Sequence, residues 1–310
     1  AINNVAVGYK AMAGVVGLSD ATENVSLGAN TLYSIVNADY CIAIGSSALY
    51  RNDISDYQIA IGYQALSKIA GVSGTNIAIG FRAMANAGSA GTGAFNVGIG
   101  YESLRDNRAD YNLAYGHRTL ESNTTGGDNI AIGQAALRAN TGGNENIGIG
   151  KFALNTNVGG DDNVGIGVSA LFSSSVGNNN IALGASSMYN AYGGYRNISI
   201  GTSALTNARN DNNIAIGVAS QFSSTTGFQN ITIGASSGYS ITSGQENIII
   251  GSYTGDAITS GDKNVIIGDN AGAALTTGSA NVVIGSNALI TASSTGGNGN
   301  TAIGQGTLRV

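Results

Sequence analysis

The stretch DNIAIGQAALRANTGGNENIGIGKFAL, residues 128–154, contains nearly the same phrase twice, 17 residues apart. Segment 129–133 returns as 146–150, and Leu137 returns as Leu154. A repeat of this length determines the whole fold, because each copy forms one unit of the same array. The glycine that ends the phrase recurs 18 times in the chain, at positions 8, 28, 45, 62, 80, 100, 116, 133, 150, 167, 184, 201, 217, 234, 251, 268, 285 and 304.

Eleven of the 17 spacings between these glycines equal 17 residues, and the others range from 16 to 20. The copies leave no stretch long enough for a separate domain, so the sequence predicts a single repeat array over residues 1–310. Spacing and composition divide this array into irregular longer coils (1–115), regular coils (116–217), variant coils (218–285) and a terminal coil (286–310).

The composition argues against several classes of protein. The 310 residues include 48 glycines, no proline and only 10% charged residues, with a net charge of −5. Nucleic-acid binding requires clustered Lys and Arg, so we expect no nucleic-acid partner. We find no apolar run near the roughly 18 residues that span a bilayer, so we expect no membrane insertion by this segment. The single cysteine, Cys41, excludes an intrachain disulfide.

The phrase Asn-Ile-Ala-Ile-Gly alternates large and small residues, which is the period of a β-strand. Counted from the glycine, positions −3 and −1 are aliphatic in nearly every copy and share one strand face. We call them the aliphatic columns and expect them to form a core with the Leu column at +4 on the opposite wall. Stacking such strands gives an all-β parallel β-solenoid, or β-roll, of about 18 coils of about 17 residues.

Two further columns, at position −4 and at the glycine itself, are expected to stabilise the fold. Position −4 is Asn in 16 of 18 copies, and stacked Asn side chains can hydrogen-bond along a column. We predict that the phrase glycine needs a positive φ or a close backbone approach. In the regular coils the predicted ladder consists of Asn129, Asn146, Asn163, Asn180 and Asn197, with Gly133, Gly150, Gly167, Gly184 and Gly201.

The small-residue column at position −2 is Ala, Gly or Ser in the first 13 copies. It lies on the strand face opposite the aliphatic columns. A solvent-facing strand position would normally carry Thr, Lys or Glu. The sequence therefore favours close packing of a second copy of the chain on this column.

Segments 129–137 and 146–154 resemble the Asn-x-Ala-Ile-Gly-x-x-Ala-Leu repeats of phage tail fibres. Segments 121–133 and 291–304 also resemble these repeats. The core phrase also resembles the head repeats of trimeric autotransporter adhesins, although the coil is longer here. The resemblance implies a left-handed β-roll, a homotrimer and an extracellular attachment role. The implied partner is a host or cell-surface glycan or protein receptor. The families share a scaffold and not a site, so no binding residue carries over.

Tyrosines are the candidate receptor-binding residues, because aromatic rings outside a core supply rigid contact area. The alternative is that they cap the turn surface. We expect the longer connections, around 33–40, 50–57, 85–95 and 105–111, to carry more partner contacts than the regular coils. The candidates are Tyr33, Tyr40, Tyr50, Tyr57, Tyr189, Tyr192 and Tyr195.

No arrangement in the sequence indicates catalysis, a cofactor or a metal. His117 is interpreted as a surface residue, and Cys41 as a packed thiol. Acidic residues such as Asp128 and Glu145 recur near the turns, but the sequence does not contain the repeat phrase of calcium-binding β-rolls. We therefore interpret these side chains as solvated charges. Two alternatives stay open: a fibre-borne glycan hydrolase, and an ice- or mineral-binding solenoid. A column of threonines suggests the second, but it is interrupted, and a turn-stabilising role is favoured.

The variant coils exchange volume between two columns. The Leu column becomes Gln221, Gly238, Gly255 and Gly272, while the small-residue column swells to Thr232, Ile249, Ile266 and Val283. Close-packed interiors do not tolerate unmatched volume. The sequence predicts that bulk moves from one wall of the coil to the other, or to the axis between copies.

Overall fold

A computed structural model describes residues 3–13, 21–52, 55–69, 74–87, 93–289 and 297–308. Their only regular elements are β-strands, and the strands pair in parallel at a repeat of about 17 residues. The predicted fold class, a parallel β-solenoid, is confirmed. The chain divides into two compact units, Ala1–Gly159 and Gly160–Val310. The further subdivision of the array stays a prediction.

The first unit has a main ladder of three-residue strands and a smaller second sheet. Each main strand pairs in register with the next, and the second sheet joins β3, β5 and β7. The strands are β1 (Val5–Val7), β2 (Val25–Leu27), β3 (Ser34–Ile35), β4 (Ile42–Ile44), β5 (Arg51–Asn52), β6 (Ile59–Ile61), β7 (Lys68–Ile69), β8 (Ile77–Ile79), β9 (Val97–Ile99), β10 (Leu113–Tyr115), β11 (Ile130–Ile132) and β12 (Ile147–Ile149).

The second unit repeats the main ladder. Each strand again pairs in parallel with its successor and keeps the position within the phrase, so that Ile181 lies beside Ile198 and Ala182 beside Ser199. The strands are β13 (Val164–Ile166), β14 (Ile181–Leu183), β15 (Ile198–Ile200), β16 (Ile214–Ile216), β17 (Ile231–Ile233), β18 (Ile248–Ile250), β19 (Val265–Ile267), β20 (Val282–Ile284) and β21 (Thr301–Ile303).

The interior of the coil lies on the face opposite to the one predicted. Ala131, in the small-residue column, is fully buried within its own chain, as is Leu137 of the Leu column. A Cβ built on Gly148 would lie 3.2 Å from Cγ of Leu137, so these two columns touch. The aliphatic columns point outward and stay half-buried or exposed. The small residues therefore make room for leucine inside one coil, and they do not receive a second copy.

Both properties predicted for the phrase glycine are present. Gly133 has a φ of 119°, where L side chains are rare. A Cβ added to it would lie 2.8 Å from the carbonyl carbon and oxygen of Gly150 in the next coil. Positive φ values also occur at Gly150, Gly167, Gly184 and Gly201.

The predicted Asn ladder is confirmed. Asn146 donates to Oδ1 of Asn129 twice, from its backbone N–H at 3.0 Å and from Nδ2 at 3.1 Å. In the second unit Asn180 donates to Asn163 in the same two ways, and Asn197 donates to Asn180. All five side chains are fully buried. The column thus connects each coil to the next by side-chain bonds in addition to the strand ladder.

A second Asn ladder, at position +7, was not predicted. Asn123 donates to Asn107 at 2.6 Å, Asn140 to Asn123 at 2.9 Å, and Asn157 to Asn140 at 3.1 Å. Apart from Asn52, the other coils carry Val, Ile, Leu, Ala or Ser at this position, and it lies in a turn rich in Gly, Asn and Ser, so no column stood out in the sequence.

Replacing Asn129 with alanine tests the first ladder. Its side chain accepts both bonds from Asn146 and donates to the carbonyl oxygen of Gly143 at 2.9 Å. Because these buried groups would lose a partner, we expect a loss of about 1 to 3 kcal/mol of unfolding free energy. Urea unfolding measures it, with Gln134→Ala as the control, because Gln134 is an exposed amide in the same coil. Equal midpoints for the two variants would contradict the ladder's role.

The variant coils confirm that bulk moves between the walls of the coil. Ile249 and Ile266 are fully buried, and a Cβ on Gly272 would lie 3.1 Å from Cδ1 of Ile266. A third column, at position +7, also contributes, because a Cβ on Gly255 would lie 3.0 Å from Cδ1 of Ile258. The resulting core cluster comprises Ile241, Ile249, Ile258, Ile266, Ala271, Leu275, Val283, Ala288, Leu289 and Ala302.

Candidate functional site

The tyrosines predicted for the first unit form two stacked pairs. Tyr33 and Tyr50 stack with ring centroids 5.1 Å apart, and Tyr40 and Tyr57 stack at 5.0 Å. These separations are close to the strand spacing, because the members of each pair occupy the same position in neighbouring coils. Each stacked ring loses one face to its partner. The pairs therefore stabilise the turns and still leave Tyr40 and Tyr57 about half exposed.

The tyrosines predicted for the second unit do not form one cluster. Tyr189 stacks on Phe172 at 5.0 Å. Tyr192 has the guanidinium of Arg209 at 5.8 Å from its ring centroid, and Tyr195 is exposed. A receptor-binding role for any of the seven tyrosines stays a prediction. Parts of the connections at 50–57 and 85–95 lie outside the described residues.

A longer aromatic stack in the first unit was missed. Tyr63, Phe81, Tyr101 and His117 directly follow the phrase glycine in four successive coils. Their ring centroids are 5.3, 5.1 and 5.0 Å apart in that order, and all four side chains are exposed. His117 is thus a surface residue, as expected. The signal was an aromatic residue recurring at position +1.

An ion-pair network lies beside this stack around two buried carboxylates. Glu102 contacts Arg82 at 3.4 Å, Arg105 at 3.6 Å and Arg118 at 3.1 Å. Glu121 contacts Arg105 at 2.6 Å and Arg138 at 2.8 Å. Both carboxylate side chains are only 5% exposed. Arginine therefore occupies the oxygens of both groups, and the network joins four successive coils.

Two adjoining surface grooves run along position +6 of the first unit. One, of about 270 Å³, is lined by Ser47, Tyr50, Arg51, Gln64, Ser67 and Lys68. The other, of about 550 Å³, is lined by Lys68, Asn86, Asp106, Arg108, Ser122 and Thr124. Lys68 belongs to both, so together they form one groove lined by cations, hydroxyls and amides. We refer to it as the +6 groove.

Asp106 is the only carboxylate among the described residues that line the +6 groove. Partial burial raises its pKa, but hydrogen bonds from Arg105 and Asn86 and the charges of Arg105 and Arg108 outweigh this effect. The pKa of Asp106 is therefore lowered. Arg105 contacts it at 2.8 Å, and Asn86 donates to it at 2.7 Å. The carboxylate stays ionised and is already neutralised, which leaves the groove cationic.

The outward aliphatic columns form an exposed apolar surface in each unit. Ile181 and Ile200 are 37% and 36% exposed, and Ile166 and Ile248 are similar. In register, each aliphatic side chain lies beside its counterpart in the next coil. The result is a continuous apolar stripe, two side chains wide, along the main ladder of each unit. We call it the aliphatic face.

Other chemistry is sparse in the described part of the chain. Burial raises the pKa of the Cys41 thiol to about 11, so it is a packed, protonated side chain. No His, Cys, Asp and Glu side chains there group in threes to hold a metal ion, and no helix there could span a bilayer. Thr124 and Thr141 donate their hydroxyl groups to backbone carbonyls of the following coil, which is the turn-stabilising role that the sequence favoured.

Comparisons with family models, with curated proteins and with solved structures find no match to this chain.

Proposed function

We propose that this chain is part of an extracellular attachment fibre in which three copies associate through their aliphatic faces and present a receptor-binding surface. The observation that carries the proposal is the aliphatic face itself. Contiguous exposed apolar surface of this kind marks an interaction site, since its burial removes apolar area from water.

The periodicity of the face supports a second copy of the chain as the partner. The stripe repeats once per coil over nine strands in each unit, with nearly the same side chains each time. A partner that matches it along its whole length must repeat with the same spacing. A second copy of the chain has that spacing in every coil. Aligned copies would bring aliphatic side chains against aliphatic side chains in nearly every coil.

The number of copies and the biological setting rest on the resemblance to adhesin heads and phage tail fibres. That resemblance supports three chains, an extracellular location and a glycan or protein receptor on a host or cell surface. It also supports a scaffold role without catalysis. Consistent with this, the two carboxylates that are buried in the described part of the first unit hold arginine side chains, whereas a glycan hydrolase needs carboxyl groups free to exchange protons or attack a sugar.

The test is the mass of the protein in solution. We expect sedimentation to give about three times the chain mass of 30.9 kDa. Ile181→Lys combined with Ile200→Lys places charges in the aliphatic face, so this variant should dissociate into folded monomers. The control is Val176→Lys, because Val176 is an exposed aliphatic residue in a turn. A wild-type monomer at micromolar concentration, or an oligomer that the double variant leaves intact, would refute the proposal.

A further inference from the structure

Two cations lie side by side in the second sheet of the first unit. Arg51 of β5 and Lys68 of β7 are register partners, so their Cα atoms are about 4.8 Å apart. Like charges placed directly opposite each other destabilise a sheet. Both side chains are exposed, and within the described residues no carboxylate forms an ion pair with either of them. Lys68 donates from Nζ to the neutral Oδ1 of Asn86 at 3.2 Å, which leaves its charge uncompensated. An anionic group seated between them would relieve this repulsion.

The surroundings of this pair suit a sugar. Tyr50 lines the same groove and stacks on Tyr33 through one face. The residue at its position in the next coil is Ser67, which carries no ring to cover the other face. The less polar face of a pyranose packs well on an aromatic ring. Beyond Lys68 the groove continues with hydroxyls, an amide, the paired carboxylate of Asp106 and one more cation, Arg108. Arg108 lies close enough for its charge to act on Asp106, but it forms no ion pair within the described ranges.

We propose that the +6 groove binds an acidic glycan, a polysaccharide whose sugars carry carboxylate or phosphate groups; this rests on the proposed attachment function and names its receptor class. Arg51 and Lys68 hold one anionic group, and Arg108 holds another farther along the groove. Guanidinium matches carboxylate and phosphate with paired hydrogen bonds. Tyr50 supports a sugar ring, while Asn86, Ser122 and Thr124 bond sugar hydroxyls.

The groove and the aliphatic face use different parts of the coil. The face belongs to the main ladder, whereas the groove lies beside the second sheet, at position +6. Association of copies through the face therefore leaves the groove open to solvent. One fibre would carry one such groove per chain. Several weakly binding grooves acting together would raise the overall affinity of the fibre for a polysaccharide through multivalency.

Binding of defined glycans to the whole protein tests the proposal. The probes are an oligogalacturonate with its methyl-esterified form, and a phosphomannan oligosaccharide with a neutral mannan. We expect binding of the carboxylated probe, the phosphorylated probe or both, weakened by salt. The neutral forms should not bind. Binding of the neutral forms alone, or of no probe, overturns the proposal, and the two acidic probes show which anionic group is preferred.

Variants of the cation pair locate the site. Arg51→Gln and Lys68→Gln should each weaken binding about tenfold, since each removes charged hydrogen bonds. Lys68→Arg keeps the charge and should keep binding. Arg196→Gln, an exposed cation of the second unit, is the control and should bind like wild type. The melting temperature of the Gln variants should equal or exceed that of wild type, because the repulsion is gone. Equal affinity of all four variants overturns the assignment.

Sedimentation of the same samples separates this inference from the proposed function. A trimer that binds no acidic glycan refutes the groove and leaves the fibre standing. A monomer refutes the fibre, whatever the glycan result.

Discussion

Gly133→Ala should cost about 4 kcal/mol or more of unfolding free energy, or prevent folding altogether. A side chain at a φ of 119° is strained by about 1 to 3 kcal/mol. The new Cβ would also lie 2.8 Å from backbone atoms of Gly150, which cannot rotate away as a side chain can. Because the neighbouring coil carries the same glycine, local relaxation would only pass the clash along the ladder.

Chemical denaturation followed by circular dichroism measures this effect. The matched control is Gly159→Ala in the same unit, where an added Cβ meets no atom within 4 Å. We expect the control to stay within about 0.5 kcal/mol of wild type. If both variants unfold at the same denaturant concentration, close approach of the coils does not explain the glycine column.

Ile266→Ala should cost about 2 to 5 kcal/mol, since it removes a fully buried side chain and leaves a cavity. The neighbouring Gly272 has no side chain with which to fill the space. Val218→Ala is the control, because Val218 is an aliphatic residue of the same unit that is 59% exposed. An Ile266→Ala variant as stable as this control would show that the core of the variant coils is not close-packed.

The reciprocal change, Ala131→Ile, should also destabilise, by about 1 to 3 kcal/mol, through overpacking. Ala131 is fully buried in a coil that keeps Leu137, so the added atoms have no vacant space. The same change should be better tolerated when combined with Leu137→Gly, which reproduces the pattern of the variant coils. Double-mutant unfolding measures this coupling. If the losses of unfolding free energy in the two single variants simply add in the double variant, the exchange of volume between the two columns is contradicted.

The sequence predicted the strands, the parallel ladder, the Asn column and the glycine column, because each depends on a residue type recurring at a fixed spacing. It did not show which strand face is inside. Alternation places Ile130 and Ile132 opposite Ala131, but hydrophobicity alone then assigned the isoleucines to the core. The better signal was the exchange between Gly272 and Ile266. Only side chains that touch need to exchange volume, so the small-residue and Leu columns had to share the interior.

The candidate site was less predictable, for a physical reason. The tyrosine pairs could be anticipated, since Tyr40 and Tyr57 stand one coil apart. Ion pairs such as Arg118 with Glu102 join residues 16 apart at positions where most coils carry other residue types. The +6 groove combines residues from several coils in the same way. Such groupings become visible only when the register of the solenoid is known.

The uniform register of the ladder has a consequence for the gene. Among the regular coils of a unit, each coil meets its neighbours through the same columns, with Asn, Gly and aliphatic residues on both sides. Removing or duplicating a DNA segment that encodes one whole regular coil joins surfaces that already fit. Recombination between similar coding repeats can therefore shorten or lengthen the protein in steps of one coil. Length becomes a trait that selection can adjust without redesigning the fold.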